Sequence, residues 1–331
     1  MKVTLKDIAD KSGVSVSTVS RILSGDTSRK AAGSTVALVL RTAEELGYLE
    51  SRERNLRPAR QLFRIGALFL SDHETITQEF FQGILSGIRE EAAVIAETQN
   101  LSFSSFTLTD ADSPFGELDG AVLLGRGSVQ MIERIRARVP LVIYAGLNSI
   151  GGMDEVVSDC SEGLRDAVLH LYGKGARRIA YIGPEKSELA VNEHRYQGYV
   201  HGIAETGLED IHSFCHLTGE DGYRAASRLL DSTRVDAIAA GNDNTAAGVL
   251  RAVTERGLRV PEDVKLTGFD NASFSAFLSP PLTTFKVPTA ELGRFAMKML
   301  MDRRGKGRDY DISVRIPYQL IERQSTEVRD E

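Results

Sequence analysis

The sequence predicts a chain of two unlike parts, an all-α head followed by an α/β body that is split into two subdomains. Two helix-start signals stand on either side of a glycine turn within the first 25 residues. From residue 63 onward, apolar runs of strand length alternate with helical periodicity. The 331 residues are enough for two or three domains, each with its own core.

Charge is distributed unevenly between the two parts. Residues 1–60 hold 11 Lys and Arg against 7 Asp and Glu, whereas the whole chain has 40 against 46 and a net charge of −6. A basic head on an acidic body favours a polyanionic partner for the head, although a window this short can also be basic by chance.

Composition excludes several classes of protein. The sequence has no apolar run of about 18 residues, so we expect no membrane span and no membrane partner. We expect no signal peptide, because no apolar stretch follows Lys2 and Lys6. The two cysteines, Cys160 and Cys215, favour a reducing, cytoplasmic location over a disulfide framework.

The head is predicted to begin with a helix-turn-helix. Thr4 and Asp7 match a capping box that starts a first helix over about 5–11. Gly13 ends this helix because glycine readily adopts positive φ, and Ser15 can cap a second helix that reaches about residue 23. Val19, Ile22 and Leu23 give the second helix its buried stripe, and Val36, Val39, Leu40, Ala43 and Leu46 predict a third helix.

Small polar residues open the second helix, and this favours contact with DNA. Short side chains at a helix N-terminus allow close approach to base edges, and the free N–H groups favour phosphate. Val16 can contact a thymine methyl group, Ser17 can hydrogen-bond a base, and Arg21 can read guanine or phosphate. The alternative is an exposed helix of a protein-binding module.

The stretch ESRERNLRPARQLFR at 50–64 separates head from body. It is rich in arginine and contains Pro58, which would stop a helix. By itself this stretch is typical of a solvated linker.

The body is predicted to contain parallel α/β sheets, because strand-length runs alternate with helices over short loops. The predicted strands are 65–70, 120–124, 141–144, 178–182, 236–240 and 264–269. The predicted helices are 79–96, 129–138, 162–172, 194–205, 224–230 and 245–255. Six strands suit two subdomains with a cleft, and ligands of open α/β sheets bind beyond the carboxyl ends of the strands.

The residues quoted so far resemble a known family. TLKDIADKSGVSVSTVSRIL at 4–23 is similar to the DNA-binding head of the lactose/galactose-repressor (LacI/GalR) family of bacterial transcription regulators. The runs EFFQGILSGI, GNDNTAAGVLRAV, GFDNASFS and PPLTTFK, which begin at 79, 241, 268 and 280, resemble its effector-binding core.

The resemblance implies a domain organisation. A helix-turn-helix DNA-binding domain would occupy 1–49, a hinge helix 50–61, and a periplasmic-binding-protein-like core for effector binding and dimerisation 62–331. Within the core, the N-subdomain would take about 62–158 and 287–318, and the C-subdomain about 159–286.

The resemblance also implies DNA contacts. Val16 and Ser17 would read bases, and Leu56 of the hinge helix would wedge into the minor groove. The implied DNA-binding residues are Thr4, Ser15, Val16, Ser17, Thr18, Ser20 and Arg21 of the head and Leu56 of the hinge, with Arg52 and Arg54 close to it. Ala32 and Val36 stand where the family has the serine and arginine that open the third helix, so phosphate contacts there are expected from Arg29 and Lys30 instead.

Five residues of the body are expected to form the effector site. Arg195, Asn242 and Asp270 match family contacts to an effector, and their donors and acceptors suit sugar hydroxyl groups. Phe80 and Phe81 would supply an apolar wall. Read alone, Asn242 is also typical of a helix N-cap, Asp270 of a turn, and the two phenylalanines of a core.

One family feature is missing from this expected site. Ala145 stands where sugar-binding members often carry an aspartate, at the end of a predicted strand. The orientation of a sugar at that point is therefore not predicted.

A metal site, a cofactor and catalysis are not expected. The stretch HSFCH at 212–216 offers three soft ligands, but zinc sites usually need a second cluster, so a strand and loop is the expected structure. The sequence has no phosphate-binding glycine loop and no Ser/His/Asp set in a motif context.

We therefore expect a sequence-specific DNA-binding transcription regulator and not an enzyme, a repressor released from its operator by a small galactoside-like sugar. Its partners would be pseudo-palindromic double-stranded operator DNA, the sugar and a second copy of the chain, because a short recognition helix needs two half-sites. A tetramer stays open. So do a corepressor-dependent repressor (purine or another metabolite), an activator of the same fold, and a sugar-binding or enzymatic protein with an accessory DNA domain.

Overall fold

A computed structural model of the chain describes residues 4–24, 32–46, 48, 62–70, 79–107, 117–185, 192–305 and 308–327. The chain divides into two compact units, Met1–Leu62 and Phe63–Glu331, which are described separately below.

The described residues of the first unit form three helices, α1 (Leu5–Ser12), α2 (Val16–Ser24) and α3 (Gly33–Glu45). The predicted capping box is present, since the Thr4 N–H donates to Asp7 Oδ2 at 2.7 Å and the Asp7 N–H donates to Thr4 Oγ1 at 3.4 Å. Gly13 follows α1 with φ of 66°, the left-handed conformation that the turn requires. The helix-turn-helix prediction is thereby confirmed.

The core of the first unit is small. It consists of Ile8, Ala9, Val19, Val39 and Ala43, all buried. Ile22 and Leu23 pack against this core and are partly buried, as the stripe of the second helix predicts. Leu40 on α3 is 42% exposed, so helical spacing alone did not identify the buried face of that helix.

The second unit contains two parallel sheets. The first, called sheet 1 here, has the strand order β11-β5-β4-β3-β1-β2. Its strands are β1 (Phe63–Phe69), β2 (Leu101–Thr107), β3 (Gly120–Leu124), β4 (Leu141–Gly146), β5 (Asp154–Val157) and β11 (Ser313–Arg315). Sheet 2 has the order β7-β6-β8-β9, with β6 (Ile179–Gly183), β7 (Ile211–Phe214), β8 (Ala237–Ala240) and β9 (Lys265–Thr267).

Helices cover both sheets. They are α4 (Glu79–Ala96), α5 (Val129–Arg136), α6 (Cys160–Gly173), α7 (Arg195–Thr206), α8 (Gly219–Ser232), α9 (Asp243–Glu255) and α10 (Thr289–Gly305). Glycines let these helices cross closely. A Cβ on Gly87 of α4 would lie 1.9 Å from the Ala290 carbonyl oxygen of α10, and one on Gly198 of α7 would lie 1.9 Å from the Ser161 oxygen of α6.

The chain passes between the sheets in three stretches. One joins β5 to α6, the second joins β10 (Thr284–Lys286) to α10, and the third joins β11 to β12 (Gln319–Ile321). Strands β10 and β12 pair antiparallel. Beyond β12 the chain lies against sheet 2, where the Leu266 N–H donates to the Ser325 oxygen at 2.9 Å. The subdomain limits at 158, 286 and 318 stay predictions.

All six predicted strands are present, and the structure adds short or polar ones. Strand β2 reads LSFSSFT and is only partly apolar, whereas β7 has only four residues. Helix α8 begins at Gly219, five residues before the predicted start, because the Thr218 hydroxyl caps it by accepting the Asp221 N–H. In the parts of the chain that the structure describes, no helix is long and apolar enough to cross a membrane.

Candidate functional site

The exposed N-terminal end of α2 carries the two predicted base readers. Ser15 Oγ accepts the Thr18 N–H at 3.3 Å and so caps the helix. Val16 is 44% exposed and Ser17 is also exposed, whereas Val19 on the opposite face is buried. An apolar side chain that faces solvent at a helix N-terminus has no role in the core of this unit and is available for a partner.

The other predicted DNA contacts are distributed unequally. Thr4 and Ser20 are exposed, and Thr18 and Arg21 are partly buried. The Thr4 hydroxyl donates to Asp7 Oδ2 at 2.7 Å, and this bond holds the pKa of Asp7 below its usual value. Five predicted contacts lie outside the described residues, namely Arg29, Lys30, Arg52, Arg54 and Leu56.

A two-chambered cleft in the second unit brings together all five predicted effector residues. The smaller chamber, the deep chamber, has a volume of about 30 Å³ and is lined by Phe80, Phe81, Arg195, Asn242 and Asp270 among other residues. The adjoining outer chamber has a volume of about 580 Å³ and shares Phe80, Asn242 and Asp270 with the deep one. The cleft lies at the carboxyl ends of strands from both sheets, where ligands of such folds bind.

Arg195 is the buried guanidinium of the deep chamber. It begins α7, and its side chain is 6% exposed. Its Nη1 donates to Glu193 Oε2 at 2.5 Å, and its Nε donates to the Gly241 carbonyl oxygen at 3.0 Å. These bonds fix the orientation of the guanidinium group in the cleft.

Asp270 supplies a carboxylate with unused hydrogen-bonding capacity. Its Oδ1 is buried without a hydrogen-bond partner among the described residues. Burial raises the pKa of Asp270 to about 6, although Arg195 opposes this shift. Its backbone has φ of 100°, a conformation that residues other than glycine rarely adopt. Strain and an unpaired acceptor in one residue are typical of a ligand contact.

Asn242 caps a helix, which was the alternative interpretation of this residue. Its Oδ1 accepts the Thr245 N–H at 2.9 Å and caps α9. Its Nδ2 lies 3.5 Å from the Leu217 carbonyl oxygen. Because the residue also lines both chambers, the cap holds the amide group at the edge of the cleft.

Phe80 and Phe81 occupy the start of α4, and each is 8% exposed. Their rings meet edge to face with centroids 5.1 Å apart. They are therefore buried in the core and also line the cleft, so the core interpretation and the wall interpretation of the two residues both agree with the structure.

Sequence reasoning missed several polar groups of the deep chamber. Asn192 Nδ2 donates to the Gly125 carbonyl oxygen at 3.0 Å and to the Tyr144 hydroxyl at 2.7 Å. Burial raises the pKa of Tyr144, so this hydroxyl keeps its proton. Arg126 also lines the chamber, and Glu193 lies beside it, with Arg126 Nη1 and Glu193 Oε2 3.4 Å apart. No motif marks these residues, because each becomes significant only when loops of the two sheets meet.

Ala145 is buried in β4 between Tyr144 and Gly146, which both line the deep chamber. The strand end thus supplies a phenol hydroxyl to the cleft in place of a carboxylate. The nearby Asp243 is not free for this purpose, since its carboxylate accepts the Thr284 hydroxyl at 2.6 Å and the Ala272 N–H at 2.7 Å. Burial raises the pKa of Asp243 to about 7.

The described residues contain no group of His, Cys, Asp and Glu that could hold a metal ion. His212 belongs to strand β7, where its Nδ1 lies 3.0 Å from Asp210 Oδ1 and 3.2 Å from the Tyr196 hydroxyl. The strand-and-loop interpretation of this stretch agrees with that geometry.

A helix-turn-helix unit joined to a two-sheet unit with a polar cleft defines a DNA-binding regulator that has a ligand-binding domain. Two family models match the chain. Bacterial regulatory proteins of the lacI family match at residues 4–51, and a periplasmic binding protein-like domain matches at residues 168–326.

Curated relatives agree with these matches. The HTH-type transcriptional repressor MelR of Bacillus subtilis is 32% identical over 98% of this chain and 97% of its own length. The HTH-type transcriptional repressor CytR of Escherichia coli K12 is 33% identical over 91% of this chain and 89% of its own. A solved transcriptional regulator CelR–cellobiose complex superposes with a TM-score of 0.69 at 26% identity, and covers 98% of this chain and 99% of that one.

The chain belongs to the lacI family of bacterial regulatory proteins. It is a DNA-binding transcriptional regulator and not an enzyme, as its relatives are regulators. The expected head and the periplasmic-binding-protein-like core are both confirmed.

Proposed function

We propose that the protein is a cytoplasmic repressor that leaves its operator when a small neutral sugar binds the cleft of the second unit. The observation that carries the proposal is the convergence of Phe80, Phe81, Arg195, Asn242 and Asp270 on one cavity. Together they offer donors, acceptors and an apolar wall, which is the combination that a pyranose ring requires.

The size of the cleft supports a saccharide of one or two rings. The outer chamber alone has a volume of about 580 Å³, and such a volume is within the usual range for small-molecule sites. Phe274, Asn271 and Lys286 line it together with Phe80 and Asp270. A galactoside that is held at Asp270 and Arg195 would extend its second ring over these residues. The CelR structure contains cellobiose, a disaccharide, in the same fold.

DNA recognition is assigned to α2. In this proposal Val16 and Ser17 read base edges in the major groove, and Thr4, Ser15, Thr18, Ser20 and Arg21 contact phosphate or flanking bases. The residues beyond the described part of the head, Arg29, Lys30, Arg52, Arg54 and Leu56, would add phosphate contacts and the minor-groove wedge.

A homodimer would present two such heads to a pseudo-palindrome. Phe277 supports this assembly, since its side chain is 88% exposed at the end of the 3₁₀ turn Ser273–Phe277. An aromatic ring so exposed is typical of an interface. A lac repressor dimer bound to operator has the same fold, with a TM-score of 0.69 at 23% identity.

A titration of operator binding tests the proposal. Fragments selected from random duplex DNA would be titrated with protein in the presence of galactose, lactose, melibiose or cellobiose. We expect at least one sugar to weaken binding, by about 5- to 150-fold for a coupling free energy of about 1–3 kcal/mol. A ligand that tightens binding instead, or a purine that acts where every sugar fails, would replace the proposal with a corepressor mechanism.

A further inference from the structure

Three charged side chains, Arg126, Glu193 and Arg195, contact one another beside the deep chamber. Glu193 lies in the loop before α7, and its side chain is 1% exposed. Its Oε2 accepts Arg195 Nη1 at 2.5 Å and lies 3.4 Å from Arg126 Nη1, while its Oε1 accepts the Arg195 backbone N–H at 3.0 Å. Arg126 follows strand β3 of sheet 1, whereas Arg195 packs with sheet 2, so one carboxylate bridges the cleft.

The charge of the deep chamber depends on this carboxylate. Among the described lining residues of the chamber, the charged side chains are those of Arg126, Arg195 and Asp270. Among these three residues, two guanidinium groups stand against one carboxylate, and such an excess of positive charge attracts phosphate or carboxylate ligands. Glu193 supplies a negative charge beside the chamber and accepts a hydrogen bond from Arg195 Nη1, a donor that a bidentate anion would otherwise use.

The position of Glu193 supports a role beyond packing. Replacing a buried charge pair by apolar residues is commonly neutral for stability, so stability alone does not require this pair. Glu193 instead occupies the position between two arginines from different sheets, beside a cavity. A carboxylate in this position keeps other anions from binding to the same arginines.

We propose that Glu193 makes the cleft selective for uncharged ligands, by occupying as an internal anion the site between Arg126 and Arg195. The inference rests on the proposed function of the cleft as an effector site. It narrows the effector class to neutral saccharides and excludes sugar phosphates and sugar acids. Glu193 is therefore a specificity-determining residue that acts through the two arginines.

The test uses inorganic phosphate as the anion probe and compares full-length wild type with Glu193→Gln. Melting temperatures and calorimetric titrations would be recorded in phosphate and in chloride of equal ionic strength. We expect wild type to show no phosphate-specific shift. Glu193→Gln should bind phosphate at least about tenfold more tightly than wild type, because a full charge close to the anion has been removed.

Two control variants separate selectivity from structure. Glu193→Asp keeps the negative charge and should exclude phosphate as wild type does. Glu205→Gln removes the same charge from a surface pair, in which Glu205 Oε1 accepts Arg165 Nε at 2.5 Å, and should leave phosphate binding unchanged. A purely structural role for Glu193 would lower the melting temperature without creating phosphate dependence.

Each outcome decides the inference. A Glu193→Gln protein that folds only in phosphate supports it as fully as a rise in melting temperature does. A variant with no phosphate dependence, or unfolded in both buffers, overturns it, as does phosphate binding by wild type. Binding of a panel of neutral sugars to wild type is measured separately, so failure of the proposed sugar function would be seen without reference to the phosphate result.

Discussion

The substitution Asp270→Asn should make the protein more stable and at the same time less responsive to its effector. Burial raises the pKa of Asp270 from 3.8 to about 6, so the folded state disfavours the charged form at neutral pH. Asparagine has nearly the same shape, carries no charge, and tolerates the positive φ of 100° at this position better than most residues.

The magnitude of the stability change follows from the pKa shift. A pKa raised from 3.8 to about 6 corresponds to about 3 kcal/mol at most, and we expect about 1–2 kcal/mol because the residue as a whole is only half-buried. Because the pKa of Asp270 is raised on folding, the wild-type protein is not penalised for this residue below pH 3.8. It loses stability as the pH rises through about 6. The gain from Asp270→Asn should therefore be largest at pH 7.5 and only a small fraction of that at pH 4.

Effector affinity should change in the opposite sense. The buried Oδ1 of Asp270 has no protein hydrogen-bond partner among the described residues, so a sugar hydroxyl is its natural donor. A hydrogen bond to a charged group contributes about 1.5–3 kcal/mol, so its loss should weaken sugar binding by about 10- to 150-fold. DNA binding without sugar should be retained.

Chemical denaturation at pH 4 and 7.5 and calorimetric titration with the sugar identified by screening would measure both effects. Asp263→Asn is the matched control, because it removes a carboxylate from an exposed pair, in which Arg259 Nε donates to Asp263 Oδ2 at 3.0 Å. Equal stability of Asp270→Asn and wild type at pH 7.5, together with undiminished sugar affinity, would refute both steps of the reasoning.

Three further substitutions test other parts of the account. Val16→Ala should change which operator bases are preferred, whereas Lys30→Ala should weaken binding to all sequences alike and reduce the salt dependence of binding. Competition between operator variants distinguishes the two effects. An equal loss of affinity for every sequence from Val16→Ala would refute the role of Val16 as a base reader. Gly198→Ala should lower the free energy of unfolding by about 1–3 kcal/mol, because the new Cβ would meet the Ser161 carbonyl oxygen at 1.9 Å. Unchanged denaturant midpoints would show that α6 and α7 separate easily.

The head was predictable because its signals are local. The capping box of Thr4 and Asp7, the left-handed Gly13 and the cap at Ser15 each involve residues at most a few positions apart, so their roles do not depend on distant parts of the chain. The face of α3 was less predictable, since the exposed Leu40 has the same spacing as buried Val39 and Ala43.

The cleft was predictable only in part. Residues at the ends of strongly apolar strands, such as Asn242 and Asp270, could be expected beside a ligand from the α/β pattern and the family resemblance. Arg126 and Glu193 could not, because they are 67 positions apart and belong to loops of different sheets. A carboxylate that pairs with two arginines from distant loops leaves no spacing pattern in the sequence.

We propose that a ligand in the cleft of the second unit controls how tightly the head holds DNA. Fluorescence anisotropy of a labelled, selected duplex measures this directly, with wild type and Asp270→Asn titrated at several salt concentrations with and without a neutral sugar. We expect salt-sensitive, sequence-dependent binding that the sugar weakens about 5- to 150-fold in wild type and far less in the variant. Equal affinity for selected and random duplexes, or an identical sugar response of both proteins, would contradict it.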